Sequence, residues 1–182
     1  MTVLETPTTV SDEIMDFYNK GVEAPRLSKG IGPLEWARGQ ELLLRYLPPP
    51  PAVVFDIGGG PGRYAGWLAT LGYDVHLIDI VPLHIEQARA ASAAQPAHPL
   101  ASAEVGDARS VACLDACADV VLLFGPLYHL TEQRDRLRAL REAFRILRPG
   151  GLLLALGITR YASTLVGLTR WWIADADYRQ MM

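Results

Sequence analysis

The sequence has only two cysteines, Cys113 and Cys117, and no second pair to complete a four-ligand metal site. The four histidines, His76, His84, His98 and His129, are scattered along the chain, so no metal centre is expected. Two ordinary thiols in a reducing cytosol is the reading. A basic excess is also missing. Lys and Arg number 17 against 20 Asp and Glu, a net charge of -3, which leaves nothing to neutralise a nucleic-acid backbone. Arginines do cluster from Arg134 to Arg148, but at helical spacing among leucines, as on a solvated helix face. Apolar runs never exceed strand length, far short of a membrane span. Early acids Glu5, Asp12 and Glu13 stand where a secretory signal needs basic and then apolar residues. A cytoplasmic protein without nucleic-acid or membrane partners is therefore expected.

What is present suits one globular domain: 182 residues, half of them hydrophobic and a fifth charged. Abundant Ala, Leu, Arg and Pro fit a GC-rich bacterial genome. Ser11 is placed to cap a short helix that Gly21 and Pro25 break. Pro33 suits the first turn of another, with Trp36, Ala37, Gln40, Leu43, Leu44 and Leu47 along its inner face. Pro48–Pro51 end that helix. Strands are expected at Ala52–Ile57, Val75–Ile78 leading to Asp79, Ala103–Val105, Asp119–Phe124 and Leu152–Leu156. Between them come helices at about Arg63–Leu71, Leu83–Ala94, and a stripe of Leu137, Leu140, Phe144 and Leu147. Arg148–Gly151 reads as a turn. Alternating strands and helices with short links mean an α/β fold with a parallel sheet covered on both faces.

A glycine-rich loop, Asp56 to Gly62, stands where the first strand meets its helix. Glycines there allow a sharp turn and close approach of a ligand. The dinucleotide fingerprint fails because Arg63 holds the position of its third glycine, and no Gly-Lys-Ser/Thr follows for a phosphate loop. The pattern present is an acid and then glycine at every second position: Asp56, Gly58, Gly60, Gly62. It resembles the first motif of the class I S-adenosylmethionine-dependent methyltransferases. Later segments keep the resemblance in order: Asp79 after the second strand, Gly106-Asp107-Ala108 after the third, the Asp119–Phe124 strand, and Leu147–Gly151 before the fifth. Gly125-Pro126-Leu127-Tyr128-His129-Leu130 is similar to a bacterial small-molecule subgroup of type 11/25.

The resemblance implies a Rossmann-like, doubly wound, mostly parallel sheet and S-adenosyl-L-methionine as cofactor, released as S-adenosyl-L-homocysteine. Asp79 would accept both ribose hydroxyls, as an acceptor-only carboxylate can. Asp107 and the Ala108 backbone would meet the adenine, and Ile80 and Phe124 are also expected to bind the cofactor. Asp56 would brace its own loop and face the cofactor ammonium, with Gly58, Gly59, Gly60 and Gly62 under the ligand. His129 is the candidate general base, or else a structural cap for the helix beginning near Thr131. Tyr128 is pocket wall or catalyst. The stretch from Phe17 to Leu27, including Lys20 and Val22, resembles a lid whose Tyr18 covers the methyl group. Arg26 or Arg38 would pair with the cofactor carboxylate.

These readings divide the chain into a helical lid (1–51), a cofactor-binding core (52–160) and a C-terminal helical segment (161–182). The family's sheet has seven strands, and this chain offers five, so its last two are expected to be lacking. Trp171 and Trp172 fit either an exposed interface or an intact core, and a homo-oligomer is the expected assembly. The function implied is methyl transfer to a small-molecule acceptor; the alternative is a non-catalytic or truncated S-adenosylmethionine-binding module.

Overall fold

The computed structural model describes residues 16, 18, 19, 21 and 23–181. The helix expected from Ser11, and the lid positions Phe17, Lys20 and Val22, lie outside them. A 3-10 turn at Arg26–Ser28 leads into α1, Gly32–Tyr46, with Pro33 in its first turn. The core then runs β1 (Val53–Ile57), α2 (Arg63–Thr70), β2 (Asp74–Asp79), α3 (Pro82–Ala93), β3 (Ser102–Val105) and β4 (Ala118–Leu123). It continues through α4 (Pro126–His129), α5 (Gln133–Ile146) and β5 (Leu147–Ala155). Two short helices follow, α6 (Ala162–Thr169) and α7 (Ala176–Met181), around a 3-10 turn at Trp172–Ala174.

The sheet has five strands in the order β3-β2-β1-β4-β5, and every pairing is parallel. Parallel strands covered on both faces must be apolar throughout, and β4 meets that demand with Val120, Val121, Leu122 and Leu123 at zero exposure. On one face Val54, Val75, Leu77 and Leu122 pack against Ala65 and Leu68 of α2, Ile85 and Ala88 of α3, and Leu43 of α1. On the other, Phe55, Ile57, Ile78, Val121 and Leu123 meet Ala139, Ala143 and Ile146 of α5. Truncating one such leucine to alanine costs about 2–5 kcal/mol. Because β1 is flanked by β2 on one side and β4 on the other, the winding reverses there and opens a crevice at the strands' carboxyl ends.

Three expectations need correction. On α1, Leu43 is buried and Trp36, Gln40 and Leu47 are partly so, but Ala37 and Leu44 face outward. The helix is turned by Trp36, which packs on Tyr64 and Trp67 with ring centroids 4.8 and 5.8 Å away. On α5 the expected stripe is not the buried one: Leu137 and Phe144 are exposed, Phe144 at 80%, while Asp135, Ala139, Ala143 and Ile146 are buried. Small residues let α5 lie close on the sheet, and Asp135 is held inside by an ion pair with Arg109. Finally, Arg148–Gly151 is a bulge within the β5 span, since Ala118 pairs with Leu147 but Val120 with Leu152.

Among the described residues there is no sixth or seventh strand, and the outer edge of β5 has no strand partner. Nor is any helix among them long and apolar enough to cross a membrane. The Cys113 and Cys117 sulfurs lie 3.0 Å apart as free thiols, and burial pushes the Cys113 thiol up to about 12. Among the described residues no group of His, Cys, Asp and Glu is arranged to hold a metal.

Candidate active site

A cavity of about 350 Å³ opens at the carboxyl ends of β1, β2 and β4, within the size range of small-molecule sites. Its floor is the glycine loop. Gly58 donates its N–H to the Ile78 carbonyl (2.7 Å), and Gly62 to Gly59 (3.1 Å). Gly60 donates to Oδ2 of Asp79 at 2.8 Å, so the acid ending β2 pins the loop that leaves β1. A Cβ on Gly58, whose φ is +72°, would come within 2.6 Å of the Pro126 ring. The loop after β4 by itself therefore demands a glycine there, and Gly58 also lines the cavity. A Cβ on Gly59 would run into Leu77 and the Asp56 carboxylate. Gly60 differs: a Cβ there meets nothing closer than 3.6 Å, so its open side faces the cavity. Gly62 does not line the cavity; its φ of +81° starts α2 and brings that helix against Leu77 and Ala88.

Asp56 is fully buried and lines the cavity, and its Oδ2 has no hydrogen-bond partner among the described residues. Burial, reinforced by repulsion from Asp79, pushes its carboxyl up to about 7 against the pull of the Ala65 backbone N–H. The expectation that it braces its own loop by hydrogen bonds is thus corrected: its amide partner is Ala65 of α2, while Gly58, Gly60 and Gly62 donate to Ile78, Asp79 and Gly59. Asp79 accepts from Gly60 through Oδ2, and from Val81 N–H (2.9 Å) and His84 Nδ1 (3.1 Å) through Oδ1. Three of its roughly four acceptor positions are in use.

At the end of β3, Asp107 is gripped by Arg109, with Nε 3.0 Å from Oδ1, Nη2 2.6 Å from Oδ2, and the Arg109 N–H 2.8 Å from Oδ1. Burial works to raise the Asp107 carboxyl, but these donors hold it below the usual carboxylate range. The same guanidinium reaches Asp135 of α5 at 3.0 Å, linking the β3 loop to the element after β4. Ile80, Ala108 and Phe124 line the cavity as expected.

The loop after β4 brings the proton-transfer candidates. Gly125 lies so close to Gly58 that a Cβ would sit 2.7 Å from its carbonyl oxygen. α4 therefore starts directly against the glycine loop, carrying Tyr128 and His129 to the cavity. His129 Nε2 is 2.7 Å from the hydroxyl of Tyr18, which also lines the cavity. Burial lowers the His129 proton affinity, although Asp79 and Glu23 oppose it, so the ring favours its neutral form. Burial, with repulsion from Tyr128, Glu23 and Asp79, pushes the Tyr18 phenol well above its ordinary value and keeps it protonated. Of the two arginines, Arg26 lines the cavity but is already paired with Glu23 (2.6 Å) and Glu35 (2.7 Å). Arg38 is corrected: it pairs with Glu41 on the exposed face of α1, outside the cavity.

Sequence reasoning missed His84, Arg109 and Asp135. His84 is legible only as a histidine five positions after an acid that ends a strand. The pairing of Arg109 with Asp135 spans 26 positions and leaves no local signal.

A model of a family described as a methyltransferase domain matches residues 55–155. The chain is 32% identical over 129 residues to a malonyl-[acyl-carrier protein] O-methyltransferase of Methylococcus capsulatus, covering 68% of this chain and 44% of that protein. It is 31% identical over 135 residues to a ubiquinone/menaquinone biosynthesis C-methyltransferase of Acidiphilium cryptum, covering 74% and 52%. The chain thus spans about half the length of the curated relatives it matches. Among solved structures, a SAM-dependent methyltransferase of Methanosarcina mazei superposes with a TM-score of 0.60 at 26% identity, over 72% of this chain and 63% of that one. The match begins at Phe55 in β1 and ends at Ala155 in β5, so it encloses the glycine loop, Asp79, Asp107 and His129: the chain belongs to the methyltransferase domain family.

Proposed function

We propose that the chain is an S-adenosylmethionine-dependent methyltransferase acting on a small-molecule acceptor. The observation that carries this reading is the convergence, on one cavity, of the glycine loop, the carboxylates ending β1 and β2 and following β3, and the Tyr18–His129 pair. The residues fit the cofactor on two counts. Asp56 keeps a buried oxygen without a partner, suited to an ammonium, and Gly60 presents bare backbone on the cavity wall.

In this reading Asp79 accepts a ribose hydroxyl at its remaining acceptor position rather than both, Asp107 and Ala108 meet the adenine, and Asp56 faces the ammonium. Arg26 turns a spare donor towards the cofactor carboxylate. The chemistry supplied by the bound cofactor is a methyl group activated on a sulfonium. Tyr18 and Tyr128 wall off water, and alignment of this kind lowers a barrier by about 7–11 kcal/mol. Neutral His129 takes at Nδ1 the proton of an acceptor that must lose one, while its Nε2–H donates to the Tyr18 hydroxyl, which fixes the ring in that tautomer. Of the two curated relatives, one is named for methyl transfer to oxygen and the other for transfer to carbon, so the proposal takes from them the reaction class alone.

A second reading, a cofactor-binding module that does not turn over by itself, is favoured by the unpaired outer edge of β5. Incubation with methyl-labelled S-adenosylmethionine and a pool of small-molecule hydroxyl, amine and activated-carbon acceptors separates the two. Label appearing in a low-mass product supports the enzyme. Binding with no transfer to any acceptor class supports the module.

A further inference from the structure

We propose that His84 is a direct contact to the cofactor sugar, its Nε2 accepting a hydrogen bond from a ribose hydroxyl beside Asp79. The inference rests on the reading of the cavity as an S-adenosylmethionine site and adds a residue to it. His84 is the third residue of α3 and is 2% exposed, yet it lines the cavity. Its Nδ1 lies 3.1 Å from Asp79 Oδ1. A carboxylate only accepts, so Nδ1 carries the proton, and in the neutral ring Nε2 is left as the acceptor.

That acceptor is buried and has no hydrogen-bond partner among the described residues. Buried polar atoms are nearly always satisfied, so one left over on a cavity wall marks a place where a ligand donor belongs. Tyr18 does not fill the role: it meets His84 by ring contact, with centroids 5.2 Å apart at 73°, while its hydroxyl is 2.7 Å from His129. The neighbouring wall is Gly60, where a Cβ would lie 3.6 Å from Glu23 Cγ and 3.9 Å from His84 Nδ1, both ordinary contact distances. A donor reaching Asp79 past Gly60 therefore arrives beside the imidazole. Ribose offers two adjacent hydroxyls, one for each group.

His84 could instead serve only to orient Asp79, and two conservative variants separate these roles. His84→Asn retains a donor near Nδ1 and removes the group at Nε2; His84→Gln retains a polar group near Nε2 and gives up the bond to Asp79. Calorimetric titration of the full chain with S-adenosylhomocysteine should show His84→Asn weakened about tenfold and His84→Gln close to wild type, the scale of one hydrogen bond lost to a buried partner. Titration with the 2′-deoxy and 3′-deoxy analogues should erase the difference between wild type and His84→Asn for one of them. Wild type alone gives a further readout, because the His84 Nε2 nitrogen resonance should shift with S-adenosylhomocysteine and less with that same analogue. Equal affinity of wild type and His84→Asn, or the reverse ranking of the two variants, overturns the direct contact. Failure of wild type to bind S-adenosylhomocysteine overturns the site reading itself.

Discussion

The hydroxyl of Tyr18 and Nε2 of His129 meet at 2.7 Å across 111 positions of sequence, joining the segment before α1 to the helix after β4. The bond brings a phenol held protonated against an imidazole held neutral, both on the wall of one cavity. In the proposed mechanism His129 is the proton acceptor and Tyr18 fixes its ring.

His129→Ala should therefore lower turnover of a hydroxyl acceptor by about 10²–10⁴-fold while changing cofactor affinity little. Because burial lowers the His129 proton affinity, the acid limb of the rate profile should fall below the ordinary imidazole value of about 6.5. Tyr18→Phe should reduce the rate less than His129→Ala does. Rates measured from pH 5 to 9 check this. A flat profile, or a variant at position 129 with full activity, removes His129 from the chemistry.

Asp56 gives a prediction with a definite sign. Its folded value, about 7, lies above the ordinary carboxylate value, so the native state binds an extra proton between about pH 4 and pH 7. Stability is therefore highest below that window and falls as pH rises through it. Asp56→Asn should flatten this dependence, gaining about 2–4 kcal/mol relative to wild type between pH 4 and pH 8. A cationic ligand facing Asp56 reverses the preference, so wild-type affinity for S-adenosylhomocysteine should rise from pH 5 to pH 8. Denaturant melts and titrations at these pH values check both; parallel curves for the two proteins contradict the role.

The glycine loop separates packing from ligand approach. Gly58→Ala should destabilise the fold, because its Cβ meets Pro126 at 2.6 Å and its φ is +72°. Gly60→Ala meets no clash at a φ of +59°, its Cβ lying 3.6 Å or more from its neighbours, so it should cost about 1 kcal/mol of stability and weaken cofactor binding far more. Thermal melts and titration of both variants give the ranking. If Gly60→Ala binds as wild type does, the ligand does not approach there.

How much of this is legible in the sequence follows from where each signal lies. β1, β2 and β4 are short apolar runs with β-branched residues, and their length and flanking turn residues set them apart from helices. Asp56 and Asp79 stand in the last two residues of their strands and Asp107 just after a third, so the strand ends alone place them at one sheet edge. The buried face of α5 is hidden because leucine counts favour Leu137 and Phe144, whereas the sheet accepts Ala139 and Ala143 for their size and Asp135 for its bond to Arg109. His84 looks isolated in sequence because its partner, Asp79, lies across the turn between β2 and α3. Arg38 and Arg26 share a composition but not a place, and only the path of the chain before α1 separates them.

The unpaired outer edge of β5 should drive self-association. Leu152, Leu153 and Leu154 are only partly buried, and Phe144 and Trp171 are exposed at 80% and 82%. A bare edge is a template for pairing with another chain. Light scattering across a hundredfold concentration range should show mass rising above that of the single chain. A constant monomer mass that excludes a hydrophobic dye contradicts it.

The claim on which the rest depends is that the cavity binds S-adenosylmethionine with Asp79 on the ribose, and parallel calorimetric titration of wild type and Asp79→Asn tests it most directly. Asparagine keeps the size of the side chain while giving up the charge and one acceptor oxygen, and charged hydrogen bonds of this kind are worth about 1.5–3 kcal/mol each. One cofactor per chain in wild type, and more than tenfold weaker binding in a folded Asp79→Asn, is the predicted result. Equal affinity in the two proteins, or no binding in wild type, contradicts it.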